Sequence, residues 1–135
     1  MPHSIDKPWV WALLSIVLVL GWQSLTVHAN YDGNWTGLFR TGGTQAVPDG
    51  LLADTFRNAH PLGYDGQFYR FLAHDPLLRN GTEAYLDSPA LRARRVLTPL
   101  LAWLLAGGRS EAIDGAYILL IADRKSTRLN SSHAD

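Results

Sequence analysis

The 135 residues include no cysteine, which excludes disulfides, thiolate zinc sites and a cysteine nucleophile together. A charge surplus is missing too. Twelve Lys and Arg balance twelve Asp and Glu, so the basic excess that neutralises phosphates is absent and no nucleic-acid partner is expected. There is no glycine-rich Walker loop, no Gly-x-Ser-x-Gly elbow and no zinc-protease helix. His74 precedes Asp75, and His60 and Asp32 stand elsewhere, but none has a second ligand at helical spacing, so no metal site is read from them.

What is present is unevenly spread. Residues 9–20 carry no charge, and with 21–29 they make about twenty weakly polar positions, enough to cross a hydrocarbon core of about 30 Å. Five Leu or Ile and three Val lie between Val10 and Leu20; at roughly −0.3 to −0.6 kcal/mol each they favour insertion. Trp9, Trp11 and Trp22 bracket the run as interface anchors. The pattern predicts an N-terminal transmembrane helix within residues 1–29, spanning 9–29. Val27-His28-Ala29 also has the spacing a signal peptidase reads, which leaves a domain secreted after cleavage at Ala29 as an alternative.

At the other end, residues 123–133 form a polar run without period that resembles a translated sequencing adapter. Setting 123–135 apart removes Arg124, Lys125, Arg128, Asp123 and Asp135 and leaves 9 basic against 10 acidic side chains. The chain is then expected to be the N-terminal fragment of a longer protein, inactive by itself. A genuine polar C-terminus is the other possibility.

Between the ends, five glycines (Gly33, Gly37, Gly42, Gly43, Gly50) punctuate an extracytoplasmic loop over residues 30–88. Short helices are expected at 51–59 and from Asp65 or Gly66 to His74, where Asp75-Pro76 stops the second. Asp87-Ser88-Pro89 starts a helix running to about Ala106, ended by Gly107-Gly108. Its apolar part, 96–106, is eleven residues, or about 16 Å. Residues 112–122 are apolar again, so the helices at 89–106 and 110–122 read as two further spans, the second truncated; a re-entrant hairpin is the alternative. The fold class is mainly α: a polytopic integral membrane protein fragment with an N-terminal transmembrane helix, a Gly-rich loop with short helices, and a helical hairpin.

Asp65 lies among Tyr64, Phe68, Tyr69 and Phe71, where a raised pKa, or a metal or hydroxyl partner, would give a carboxylate a chemical role. It could equally be a helix N-cap. Arg92, Arg94 and Arg95 fall in the first turns of a helix, where cations oppose the macrodipole. A bound phosphate would compensate them, as would ion pairs with Asp87 or Glu83 or contacts with lipid headgroups.

The order of features carries a resemblance. An N-terminal span precedes a loop with Tyr64-Asp65-Gly66, followed by an Arg-rich approach to Thr98-Pro99-Leu100-Leu101. This resembles the first loop of polytopic GT-C membrane glycosyltransferases, in particular those related to glycosylphosphatidylinositol mannosyltransferases, or a related bacterial membrane protein family. Tyr stands for the family's Trp and Gly for its Ala, and one proline remains of the family's two. The resemblance implies a fold of many membrane helices in a bacterial cytoplasmic membrane, with loop 30–88 on the non-cytoplasmic side. It implies Asp65 as the catalytic carboxylate, acting as a base or helping to hold a divalent metal. Tyr64, Arg92, Arg94 and Arg95 would bind substrate, with membrane lipid and a polyprenyl-phosphate-linked sugar donor as partners. The competing reading is a transporter or assembly component in which Asp65 is only a cap.

Overall fold

The computed structural model describes residues 7–131, with side chains through Asp123. Residues 1–6, and residues 132–135 at the end of the expected tail, lie outside the described residues. Helix α1 (Pro8–Asn30) opens on a proline in its first turn, where a missing N–H costs nothing. Its 23 residues reach about 34 Å. The hydroxyls of Ser15 and Thr26 donate to the carbonyls of Trp11 and Trp22, 2.9 Å away in each case, so these polar groups are satisfied within the helix. Only Val27 of α1 is buried, leaving Trp9, Trp11, Val17, Leu18, Trp22 and Leu25 exposed. Among the described residues, α1 is the one helix long and apolar enough to cross a membrane.

After α1 the chain turns at Asp32 and Gly33, both with positive φ, into a 3₁₀ turn over Trp35–Phe39. Asn34 caps that turn, accepting from the Thr36 N–H at 3.0 Å. A one-turn helix α2 (Asp49–Leu52) follows, shorter and earlier than the 51–59 segment expected. No strand forms among the described residues, only an isolated bridge between Thr41 and Arg57.

Gly42 and Gly63 let two loop segments touch. A Cβ on Gly42 would collide with the Pro61 carbonyl oxygen and the Gly63 backbone nitrogen, neither of which can rotate away. Gly42→Ala is therefore expected to cost about 1–3 kcal/mol, as overpacking does, read as a lower midpoint of thermal unfolding in detergent.

Helix α3 (Asp65–His74) has the bounds expected, ending where Asp75-Pro76 leaves the helix. It is buried on most of its circumference. Phe68, Phe71 and Leu72 join Val47, Leu51 and Leu86 in one apolar cluster, while Ala73 joins Ala102, Ala106, Ile113, Tyr117 and Phe39 in another. The three alanines keep the second cluster thin, so α3, α5 and α6 approach closely.

The continuous helix expected over 89–106 is divided into α4 (Pro89–Ala93) and α5 (Leu97–Leu105), with a turn at residues 94–96. Pro99 is the reason. It has no N–H for the Arg95 carbonyl, and its ring would clash with that carbonyl inside a helix. The helix restarts at Leu97, which places Pro99 in the first turn, where no bond is lost. Nine residues carry α5 only about 13 Å. Gly107 and Gly108, at φ +63° and +72°, stop it as expected. Helix α6 (Ser110–Ser131) then packs against α5, α3 and α1. Its helical backbone continues without a break into the segment expected to be a tail.

Candidate functional site

Asp65 and Arg92 stand 27 positions apart in the sequence, but α3 and α4 bring them into contact. The Arg92 Nη2 donates to Asp65 Oδ1 at 2.8 Å and to Asp87 Oδ2 at 2.8 Å, and its Nε donates to Asp87 Oδ1 at 2.9 Å. Its Nη1 reaches the Tyr69 hydroxyl at 3.3 Å. The guanidinium also lies over the Phe68 and Tyr69 rings, at 4.7 and 5.3 Å from their centroids. Arg92 is buried, with 6% side-chain exposure, whereas Asp65 keeps 67% and Asp87 49%.

This geometry determines the electrostatics. The hydrogen bond from Arg92 holds the Asp65 carboxyl below its ordinary range, and the same guanidinium does so for Asp87. Arg92 is correspondingly harder to deprotonate, chiefly through Asp87 and then Asp65. The raised pKa expected for Asp65 is replaced by a lowered one, because a cation rather than an apolar wall faces it. Asp65 is also not an N-cap. It is the first residue of α3, Tyr64 holds the cap position, and no side chain caps the helix. The carboxylate is thus ionised at neutral pH and open to solvent on one side.

The other expected site residues are spread around this pair. Arg95 is exposed, adds a weak attraction on Asp65, and lines a cavity of about 270 Å³ with Tyr69, Thr98 and Tyr117. Arg94 is exposed on the turn between α4 and α5. The Tyr64 ring lies under Arg40, 4.6 Å from the guanidinium carbon. Asp87, expected from the sequence as an ion-pair partner or as a cap of the next helix, contributes the second carboxylate on Arg92. Gly66 packs closely on the Trp35–Phe39 turn: a Cβ there would sit 3.1 Å from the Phe39 carbonyl oxygen. Beside it, an apolar groove of about 450 Å³ runs from Trp22 and Thr26 of α1, past Ile118 and Ile121, to Gly66 and Tyr69. No group of three or more His, Asp or Glu is placed to hold a metal ion among the described residues.

A second polar cluster was not expected from the sequence. Arg70, at 1% exposure, donates from Nε and Nη2 to both oxygens of Asp114 at 2.9–3.1 Å, and from Nη1 to the Thr55 hydroxyl at 2.6 Å. His74 Nε2 meets Asp114 Oδ1 at 3.0 Å, and His74 Nδ1 lies 3.3 Å from Ser110 Oγ. Spacing is the signal that points to it. Arg70 and His74 are four apart on α3, and Ser110 and Asp114 are four apart on α6, so each pair shares a helix face.

Asp75 serves the loop. Its carboxylate accepts from the backbone N–H groups of Arg79 at 2.9 Å and Asn80 at 2.8 Å. Burial pushes its pKa up, but the Asn80 and Arg79 amides and Thr82 outweigh burial and hold it below the ordinary range. A lowered folded pKa means that this stabilisation is present above the unfolded value and is lost as pH falls through the folded one. Asp75→Ala should therefore cost about 1–3 kcal/mol at neutral pH, because two amides lose their acceptor. The gap to wild type should close in acid, as thermal unfolding across a pH series would record.

No family model, curated protein or solved structure matches the chain.

Proposed function

We propose that the chain is the membrane-anchored N-terminal part of a GT-C-like glycosyltransferase that uses a polyprenyl-phosphate-linked sugar at the non-cytoplasmic face of a bacterial membrane. The observation that carries this reading is the Asp65–Arg92 pair. It is an ionised, solvent-open carboxylate, held in place by a buried cation and adjoining an apolar groove that begins on α1. Sugar transfer needs a base near the acceptor hydroxyl, cations on the departing phosphate, and a path for the lipid chain.

Arg92 is already engaged by two carboxylates, so its part is to orient Asp65. Phosphate pairing falls to the exposed Arg94 and Arg95, the second of them beside Tyr69, which lines the groove as well. The helices α5 and α6 belong on this reading to a membrane hairpin that further spans would complete.

The test is binding of a polyprenyl phosphate to the chain in lipid nanodiscs. Arg94→Gln/Arg95→Gln is expected to weaken binding about tenfold or more, as the loss of two charge-assisted contacts would. Polyprenol lacking the phosphate should not compete. Equal binding of the alcohol and the phosphate would remove the phosphate role.

A further inference from the structure

The second polar cluster is arranged as a nucleophile, a base and an orienting carboxylate. Ser110 Oγ, His74 Nδ1, His74 Nε2 and Asp114 Oδ1 form a chain with steps of 3.3 and 3.0 Å. All three side chains line a single cavity of about 390 Å³, together with Leu51, Asp54 and Glu111. An ionised Asp114 accepts from Nε2–H, which leaves the Nδ1 lone pair facing the Ser110 hydroxyl. That is the tautomer a general base requires.

Arg70 fixes the Asp114 carboxylate through three contacts, two to Oδ2 and one to Oδ1, and His74 shares Oδ1 with it. Its positive charge opposes an imidazolium, but Asp54 and Glu111 bring negative charge to the same cavity and stabilise the cation as it forms. Ser110 also begins the 22-residue helix α6. The first N–H groups of a helix have no intrahelical acceptor and carry its positive end; the Ala112 N–H is spent on the Arg109 carbonyl at 3.0 Å, which leaves those of Ser110 and Glu111 beside the nucleophile for an oxyanion.

We infer that Ser110, His74 and Asp114 form a hydrolytic site for small neutral or cationic carboxylic esters. Ser110 Oγ bonds to the ester carbonyl carbon while its proton passes to His74 Nδ1. The tetrahedral adduct collapses with cleavage of the C–O bond, and the leaving alcohol takes the proton from His74. Water, deprotonated by the same nitrogen, then releases the carboxylic acid and restores the serine hydroxyl. The cavity volume limits the acyl group, and the two free carboxylates repel anionic esters. The site stands apart from Asp65: the residues occupy opposite ends of the ten-residue α3.

The test uses the whole chain in detergent micelles, with a fluorophosphonate probe and p-nitrophenyl acetate. The expected result is one adduct, mapped by mass spectrometry to Ser110. It should be absent in Ser110→Ala and form about 100-fold more slowly in His74→Gln, with ester turnover falling in parallel. Ser110 is exposed, so its alanine variant should keep the wild-type circular dichroism spectrum. The wild-type comparison is decisive even if His74→Gln unfolds: labelling no faster than in heat-denatured protein, or labelling away from Ser110, overturns the proposal. Equal labelling of a folded His74→Gln overturns it as well.

Discussion

Replacing Asp114 with alanine is expected to cost about 3–5 kcal/mol, more than any other single substitution in the two polar clusters, because it strands a buried cation. Arg70 is 1% exposed, so its charge depends on protein partners rather than on water. Without Asp114 only the Thr55 hydroxyl would remain as a polar partner, with the Phe39 ring 5.7 Å away. The cost is that of an uncompensated charge rather than of a lost bond. Removing both partners together, as Arg70→Met/Asp114→Leu, should consequently be milder than Asp114→Ala alone. That non-additivity is measurable as a positive coupling in equilibrium unfolding. Additive losses would mean that the pair is better solvated than its burial implies.

Arg92 carries the second large prediction, and here the asymmetry of burial decides the sign of the comparison. Arg92→Leu removes charge-assisted bonds to two carboxylates and a cation over two rings, for an expected loss of about 2–3 kcal/mol. The abandoned carboxylates, 67% and 49% exposed, find water instead, which keeps the loss below that of Asp114→Ala. Asp65→Asn should cost less than about 1 kcal/mol, since Asp87 still neutralises Arg92 and the Asp65 side chain is mostly solvated. Thermal unfolding of both variants in one detergent checks the ranking. A chemical role for Asp65 can therefore be probed without losing the fold.

Elements set by local chemistry were readable from the residues. The Asp75-Pro76 end of α3, the Pro89 start of α4 and the Gly107-Gly108 stop of α5 each follow from one backbone preference. The division between α4 and α5 follows from Pro99 by the same logic, but the apolar run around it concealed the break. Long-range pairings were not readable. Asp114 lies 44 residues from Arg70 and 40 from His74, and nothing local says which helix faces which. The Asp65 site was half visible: its carboxylate and its arginines stood out by type, while the sharing of Arg92 between Asp65 and Asp87 depends on how α3 and α4 pack.

The packing also gives the arginines different roles. A row of three cations near a helix start reads as one phosphate clamp, yet the turn at residues 94–96 points them to different surroundings. Arg92 turns inward onto two carboxylates and two rings, while Arg94 and Arg95 remain in solvent. On the proposed reading, orientation of the base and recognition of an anion would fall to separate residues.

The most direct measurement is sugar transfer from a polyprenyl-phosphate donor by the protein carrying this chain, reconstituted in proteoliposomes, with Asp65→Asn compared against Asp87→Asn. Both variants remove one carboxylate from Arg92, and Asp87→Asn, which weakens two bonds to Arg92 against one for Asp65→Asn, should unfold at the lower temperature. Asp65→Asn is expected to lower kcat by about 10²–10⁴-fold, as loss of a general base does, while Asp87→Asn stays within about tenfold of wild type. Transfer at the wild-type rate by Asp65→Asn would contradict the assignment of Asp65 as the base.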